Sequence, residues 1–261
     1  MASRSMITSG TAPAETLSTH TYVRILATAT LAAGISACAP AATPPPPPEP
    51  DRFAALEADA KIMSHRWIAP EGVDLDAPEL QVARGYIESE NNYDRTADPL
   101  TLYPGYNDIA HAYKSQPTPR TGTINHHILE VEPTTHLGRP VTEIHVCDVL
   151  MQTAMPTDAG WTRMETRLYT SLRLQPADWT AGSPTILDYD NRRPYPTWDV
   201  FGGWEVERFT DKRMGYEDPW SICVTGMPEY NFDTPIKEQL AAAPVVEPFY
   251  PGWPTLVVDD E

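Results

Sequence analysis

Basic residues are scarce and never form a run longer than two. The chain of 261 residues has 19 Lys and Arg against 36 Asp and Glu, a formal charge of −17. A phosphate backbone is bound by a basic patch or stripe, so nucleic acid is excluded as a partner. Cysteine is almost absent, at 3 residues, and no C-x-x-C occurs. That excludes a dithiol redox motif and a zinc ribbon. Beyond the N-terminal segment there is no G-x-S-x-G, S-x-x-K, H-E-x-x-H, phosphate-binding loop or G-x-G-x-x-G. The common hydrolases and nucleotide enzymes therefore lose support, and no cofactor is expected. A reaction built from scattered side chains stays open. Long apolar runs are missing too: the longest, Ile25 to Ala37, falls short of the ~20 residues that a membrane-spanning helix needs.

What is there begins with that short run. Arg24 precedes it, and it ends Ile35-Ser36-Ala37-Cys38. One positive charge, an apolar stretch and small residues form the pattern of an export signal. The last four residues resemble the lipobox of bacterial lipoproteins, with Ile35 where Leu is commoner. The resemblance implies that residues 1–37 are removed and that Cys38 carries diacylglycerol. The plainer alternative is an ordinary secretory signal cut near Ala37. Either Met1 or Met6 can start the chain. Without residues 1–37 the chain has 17 basic and 35 acidic residues, a charge of −18. Such a body is repelled by anionic lipid, so a membrane contact would rest on the lipid itself, at about 0.8 kcal/mol per buried methylene. The expected location is the outer face of a bacterial cytoplasmic membrane.

Residues 39–50 include seven Pro among twelve. Proline lacks the N–H for a helix and favours polyproline II. With Cys38 this stretch, 38–50, reads as a stiff stalk. Once Cys38 is set aside, Cys147 and Cys223 remain. An even count in an exported chain points to a disulfide. Its loop of 76 residues (223 − 147) gives ~4 kcal/mol in the chain-entropy account. Two buried free thiols are the alternative.

A domain over 51–230 follows. Phe53, Leu56, Ala60, Met63 and Trp67 fall at spacings of three and four, which predicts a helix over 51–68. A second helix is predicted over 77–92, with Asp76 as cap and Pro78 and Glu79 in its first turn. A third, short one is placed at 105–114. The period then becomes alternating, which predicts strands at 122–131, 141–150, 164–174, 203–210 and 220–226. Helices followed by a meander give an α+β class. The remainder, 231–261, is expected to be a proline-rich acidic tail with one helix from Pro235 to Ala243.

This order of elements resembles the NTF2-like, cystatin-type α+β roll. Gly202-Gly203-Trp204-Glu205-Val206 is similar to the Gly-Trp-x-Val ending of small exported members. The resemblance implies N-terminal helices packed on a bent antiparallel sheet around a cone-shaped pocket. The family hosts enzymes and inert accessory domains alike, so fold fixes no activity. The long 175–202 segment and the tail depart from the compact pattern.

Three constellations are candidates for chemistry. His126, His127, His136 and His145 lie within twenty residues. In a hairpin turning near His136, His127 faces His145, an arrangement for a two-His metal site or an acid–base pair, with Glu143 or Asp148 in support. His145 and Asp148 are the catalytic candidates. Surface histidines on a wet sheet face are the bland alternative. Aromatic residues crowd 188–220, and Tyr189, Trp198 and Trp204 are candidates for stacking a glycan; ordinary core burial competes with this. Asp188-Tyr189-Asp190-Asn191 hints at a calcium loop, but Arg192 follows and the required Gly is missing. The function expected is a non-catalytic, lipid-anchored envelope accessory protein that binds a protein partner, a glycan or a small ligand. A pocket enzyme with a His/Asp pair and a subunit of a membrane complex are the alternatives.

Overall fold

Asp51 opens the first helix. Its carboxylate accepts the backbone N–H groups of Phe53 and Ala54 at 3.0 and 3.2 Å, the usual N-cap bond. In a computed structural model of the chain, residues 50–110, 116–164, 167–177, 186–209, 222–223, 226–227 and 237–257 are described. Residues 1–49, which include the expected export signal, Cys38 and most of the proline run, lie outside the described residues. Among the described residues no helix is long and apolar enough to cross a membrane.

The helix, α1, spans only Arg52–Ala60. The expected continuation to residue 68 is a strand instead, β1 (Met63–Ile68). The reason lies in the spacing. Met63 and Trp67 are four apart, which shares a face in a helix and also in a strand. Both are buried, so hydrophobic period alone does not separate the two readings.

Helix α2 runs Pro78–Thr96, with Pro78 in its first turn, Glu79 at the positive end and Arg95 at the negative end. Its cap is not Asp76. The N-cap is Ala77, with no side-chain bond, because Arg192 takes both Asp76 carboxylate oxygens at 3.0 and 2.6 Å. The third helix is α3 (Tyr106–Ile109), closed by an extended Ala110, and residues 111–114 of the expected helix lie outside the described residues. Helix α2 carries the chain from β1 to β2 (Thr121–His136), and the two strands pair in parallel. The sheet is therefore mixed, not purely antiparallel.

Strand β3 (Arg139–Thr157) returns along β2 through a turn at Leu137 and Gly138, both with positive φ, 50° and 82°. Next come β4 (Gly160–Met164), β5 (Arg167–Pro176), β6 (Leu187–Arg193), β7 (Trp204–Arg208), β8 (Lys237–Leu240) and β9 (Trp253–Leu256). The first sheet runs β1-β2-β3-β4-β8, with β5 beside β3 and β7 beside β5; β6 and β9 form a separate ribbon. The class is α+β. The tail belongs to it. Residues 237–240 form a strand where a helix was expected, and Trp253 is fully buried in the main core. The chain from Pro48 onward clusters as one unit.

Helix α2 packs Val82, Ala83, Tyr86 and Ile87 against Ile128, Ile144, Val146, Leu172 and Leu174 of the sheet. Each such large side chain contributes roughly 1.5–3 kcal/mol on burial. The opposite face, expected to be wet, is covered as well. Cys147, Val149, Cys223 and Met227 form a second cluster there. Cys147 and Cys223 are joined, with Cα atoms 5.8 Å apart, and Cys223 sits in a helical turn where a strand was expected. Gly85 lets α2 approach the 200–201 segment: a Cβ there would lie 2.6 Å from Val200 Cγ2 and 3.1 Å from Phe201 Cζ. Gly85→Ala gains about 1 kcal/mol of helix propensity but overpacks a filled site, at a cost of about 1–3 kcal/mol. A net loss of about 1 kcal/mol in urea unfolding is expected. An unchanged or raised midpoint would show that the segment yields.

Candidate functional site

The histidines do not meet as the hairpin arithmetic implied. His127 faces Cys147, His126 faces Asp148, and Glu130 faces His145. Two facts shift the register. The turn is centred on Leu137-Gly138, not on His136, and a bulge follows between Ile128 and Glu130. His145 and Asp148 project from opposite faces of β3 by strand alternation. His145 Nδ1 shares a 2.6 Å hydrogen bond with the Tyr169 hydroxyl, while Asp148 turns toward α2. Glu143 is taken by Arg173 at 2.7 Å. Among the described residues no group of three His, Cys, Asp or Glu side chains is placed to hold a metal.

A different relay occupies the core. Asp148 Oδ1 lies 2.7 Å from His126 Nδ1. His126 Nε2 lies 2.8 Å from Nδ1 of His65, and His65 Nε2 lies 3.0 Å from Asn92 Oδ1. The His126 ring is stacked on Trp67 at 4.4 Å. All four side chains are buried. Burial pushes the His65 imidazole down to about 4, with the Glu88 carboxylate opposing and His126 adding to the fall. Both nitrogens of both rings are engaged, so the relay offers no free base to a substrate.

Beside it sits a buried carboxylate. Glu88 receives the indole N–H of Trp67 at 2.7 Å, the hydroxyl of Tyr103 at 2.6 Å and the indole N–H of Trp253 at 2.9 Å. Arg84, one helical turn earlier, lies 3.9 Å from it and 4.3 Å over the Trp253 ring. The desolvation of Arg84 lowers its pKa below the usual guanidinium range.

The accessible feature is an open cleft of about 970 Å³, bounded by Ala60 and Lys61 at the end of α1, residues 73–76, Arg192 to Pro194, and residues 246–252. That size suits a small-molecule or peptide site. The segment 246–252 is a strap across the free edge of β1. Tyr250 N–H donates to the His65 carbonyl at 3.1 Å, and the Tyr250 carbonyl accepts from Trp67 N–H at 2.7 Å. Three arginines hold its carbonyls: Arg66 on Pro248 at 2.9 Å, Arg84 on Pro251 at 2.8 Å and Arg192 on Gly252 at 2.8 Å. The cleft is thus built in advance of any ligand. Phe249 separates it from the relay, its ring 5.9 Å from that of His65.

The aromatic candidates do not form one platform. Trp198 and Trp204 are half-buried against the main core, and the Trp198 indole N–H donates to Pro254 at 3.3 Å. Tyr189 is 43% exposed, with Arg192 across its ring at 5.7 Å. Asp188 closes a local turn on Asp190 and Asn191. His65, Glu88 and the strap were missed in the sequence: His65 fell inside the supposed helix, and Arg84, Glu88 and Asn92, at i, i+4 and i+8, carry no local sign of burial.

Comparison of the chain with family models, with curated proteins and with solved structures found no match.

Proposed function

We propose that the protein is an exported, lipid-anchored envelope accessory protein that binds a partner or a small ligand in this cleft and catalyses no reaction there. The preformed cleft carries the reading. Its walls are fixed by arginine-to-carbonyl bonds, so little conformational entropy is lost when it is filled. The nearest His–Asp pair is saturated and lies behind Phe249, which argues against acid–base work. The lipobox-like Ile35-Ser36-Ala37-Cys38 and the proline stalk support anchorage. The helix-on-sheet α+β architecture agrees with an NTF2-like roll, although the parallel β1 departs from the expected meander.

Native mass spectrometry of the protein extracted gently from membranes tests this. The expected result is a mass raised by diacylglycerol at Cys38 and by a bound molecule or protein. In Cys38→Ser the protein moves to the soluble fraction. A Cys38→Ser protein that stays membrane-bound would overturn the anchorage. A bare chain at every protein concentration would overturn the binding.

A further inference from the structure

The outer edge of the strap is unfinished. Tyr250 turns its N–H and carbonyl to β1. In extended chain the adjoining residue turns its own pair the other way. On the N-terminal side that residue is Phe249, which lines the cleft. Among the described residues neither its N–H nor its carbonyl has a hydrogen-bond partner. The strap is therefore a one-rung sheet edge opening on a cavity.

The charges of the cleft narrow the occupant. Arg192 pairs with Asp76, Glu247 with Arg66, and Lys61 with Glu57. Two groups are left over, of opposite sign. Arg193 is exposed and has no carboxylate beside it among the described residues. The Asp74 carboxylate accepts only the N–H of Asp76 among the described residues. Val73 and Leu75 supply an apolar wall. A small organic anion would answer Arg193 and leave Asp74 and the Phe249 pair unmet. A glycan would want a free ring face; Trp198 and Trp204 pack against the core, and the exposed Tyr250 of the cleft already has the Arg66 guanidinium 5.5 Å from its ring centroid. A peptide backbone matches all of these features at once, as a strand added to a free edge.

Resting on the reading of the cleft as a binding site, we propose that its occupant is an extended segment of a partner protein. The segment bonds Phe249 through its backbone and seats an apolar side chain against Val73 and Leu75. It pairs an acidic residue with Arg193 and a basic one with Asp74.

The test offers a phage-displayed library of random decapeptides to the immobilised full-length protein. Enriched peptides are expected to carry an apolar residue flanked by one acidic and one basic residue. N-methylation of a single backbone nitrogen is expected to weaken binding about ten-fold, the loss of one well-made hydrogen bond with its steric block. Arg193→Glu, at an exposed side chain with no packing role, is expected to exchange the acidic preference for a basic one. Leu75→Arg, which plugs the cleft, is expected to abolish enrichment. Enrichment that survives unchanged in Arg193→Glu, or an N-methyl scan with no sensitive position, would overturn the proposal. So would a library that yields nothing. In those cases native mass spectrometry separates the two claims: a bound non-peptide molecule leaves the cleft reading standing, and a bare chain removes both.

Discussion

Glu88→Ala is expected to remove about 4 kcal/mol or more of folding stability. The carboxylate ties together four parts of the chain: Trp67 in β1, Arg84 in α2, Tyr103 after α2 and Trp253 in β9. Every polar neighbour is a donor, which is the surrounding a carboxylate anion requires. Its removal orphans three buried donors, each costing about 1–3 kcal/mol. It also removes one of the two carboxylates beside the fully buried Arg84, leaving Asp76 at 3.9 Å. Breaking a buried pair from one side costs about 3–5 kcal/mol. The total approaches the whole stability of an ordinary domain, about 5–15 kcal/mol. Glu88→Gln keeps the shape and one acceptor, but its amide N–H₂ opposes a ring donor. A loss of about 2–3 kcal/mol is expected. Urea unfolding of both variants measures this. A Glu88→Gln protein as stable as the natural one would show that the charge contributes nothing.

This hub explains why the tail was misread. Residues 231–261 look like an arm because proline and acidic residues dominate them. Trp253 is one aromatic among several in the sequence, and nothing local says that its indole reaches a carboxylate 165 positions away. The elements with local signals were legible. Pro78 and Glu79 mark the start of α2, and alternation marks the two long hairpin strands, although their turn falls at Leu137-Gly138 and not near His136. The even cysteine count marks the disulfide. What failed was long-range. The four-residue spacing of Met63 and Trp67 suits helix and strand alike. The bulge after Ile128 and the displaced turn slide His126 opposite Asp148 and His127 opposite Cys147, while strand alternation keeps His145 and Asp148 on opposite faces of β3. Arg84, Glu88 and Asn92 carry no local sign of burial because burial of charge is the exception, and only the fold shows that α2 is wrapped on several sides. The cleft was illegible for the same reason, since its walls come from four separated segments.

Acidification should act through His65. Its imidazole is neutral and fully buried in the fold, with its pKa lowered from 6.5 to about 4. The unfolded chain therefore binds this proton more readily than the folded one. The sign follows: the stabilisation is complete above pH 6.5 and is lost as pH falls from there to about 4, below which no further change comes from this group. At 1.36 kcal/mol per unit the total is about 3 kcal/mol. A charged His65 would face the Glu88 and Asn92 side chains from α2, His126 from β2 and Asp148 from β3, and Phe249 from the strap. Its charge would bear on the His126 ring, at a centroid separation of 5.1 Å. The strap is the first element expected to yield, since its backbone meets β1 only at Tyr250. Carboxylates also titrate over this range, so the decisive quantity is a difference. Urea midpoints from pH 7 to pH 4 should fall more steeply in the natural protein than in His65→Gln, whose side chain still bonds His126 and does not titrate. Direct titration of the His65 ring proton resonance supplies the same number if that variant folds poorly. A pH-independent difference between the two proteins, or a His65 resonance titrating near 6.5, would refute the assignment and leave the relay as neutral packing.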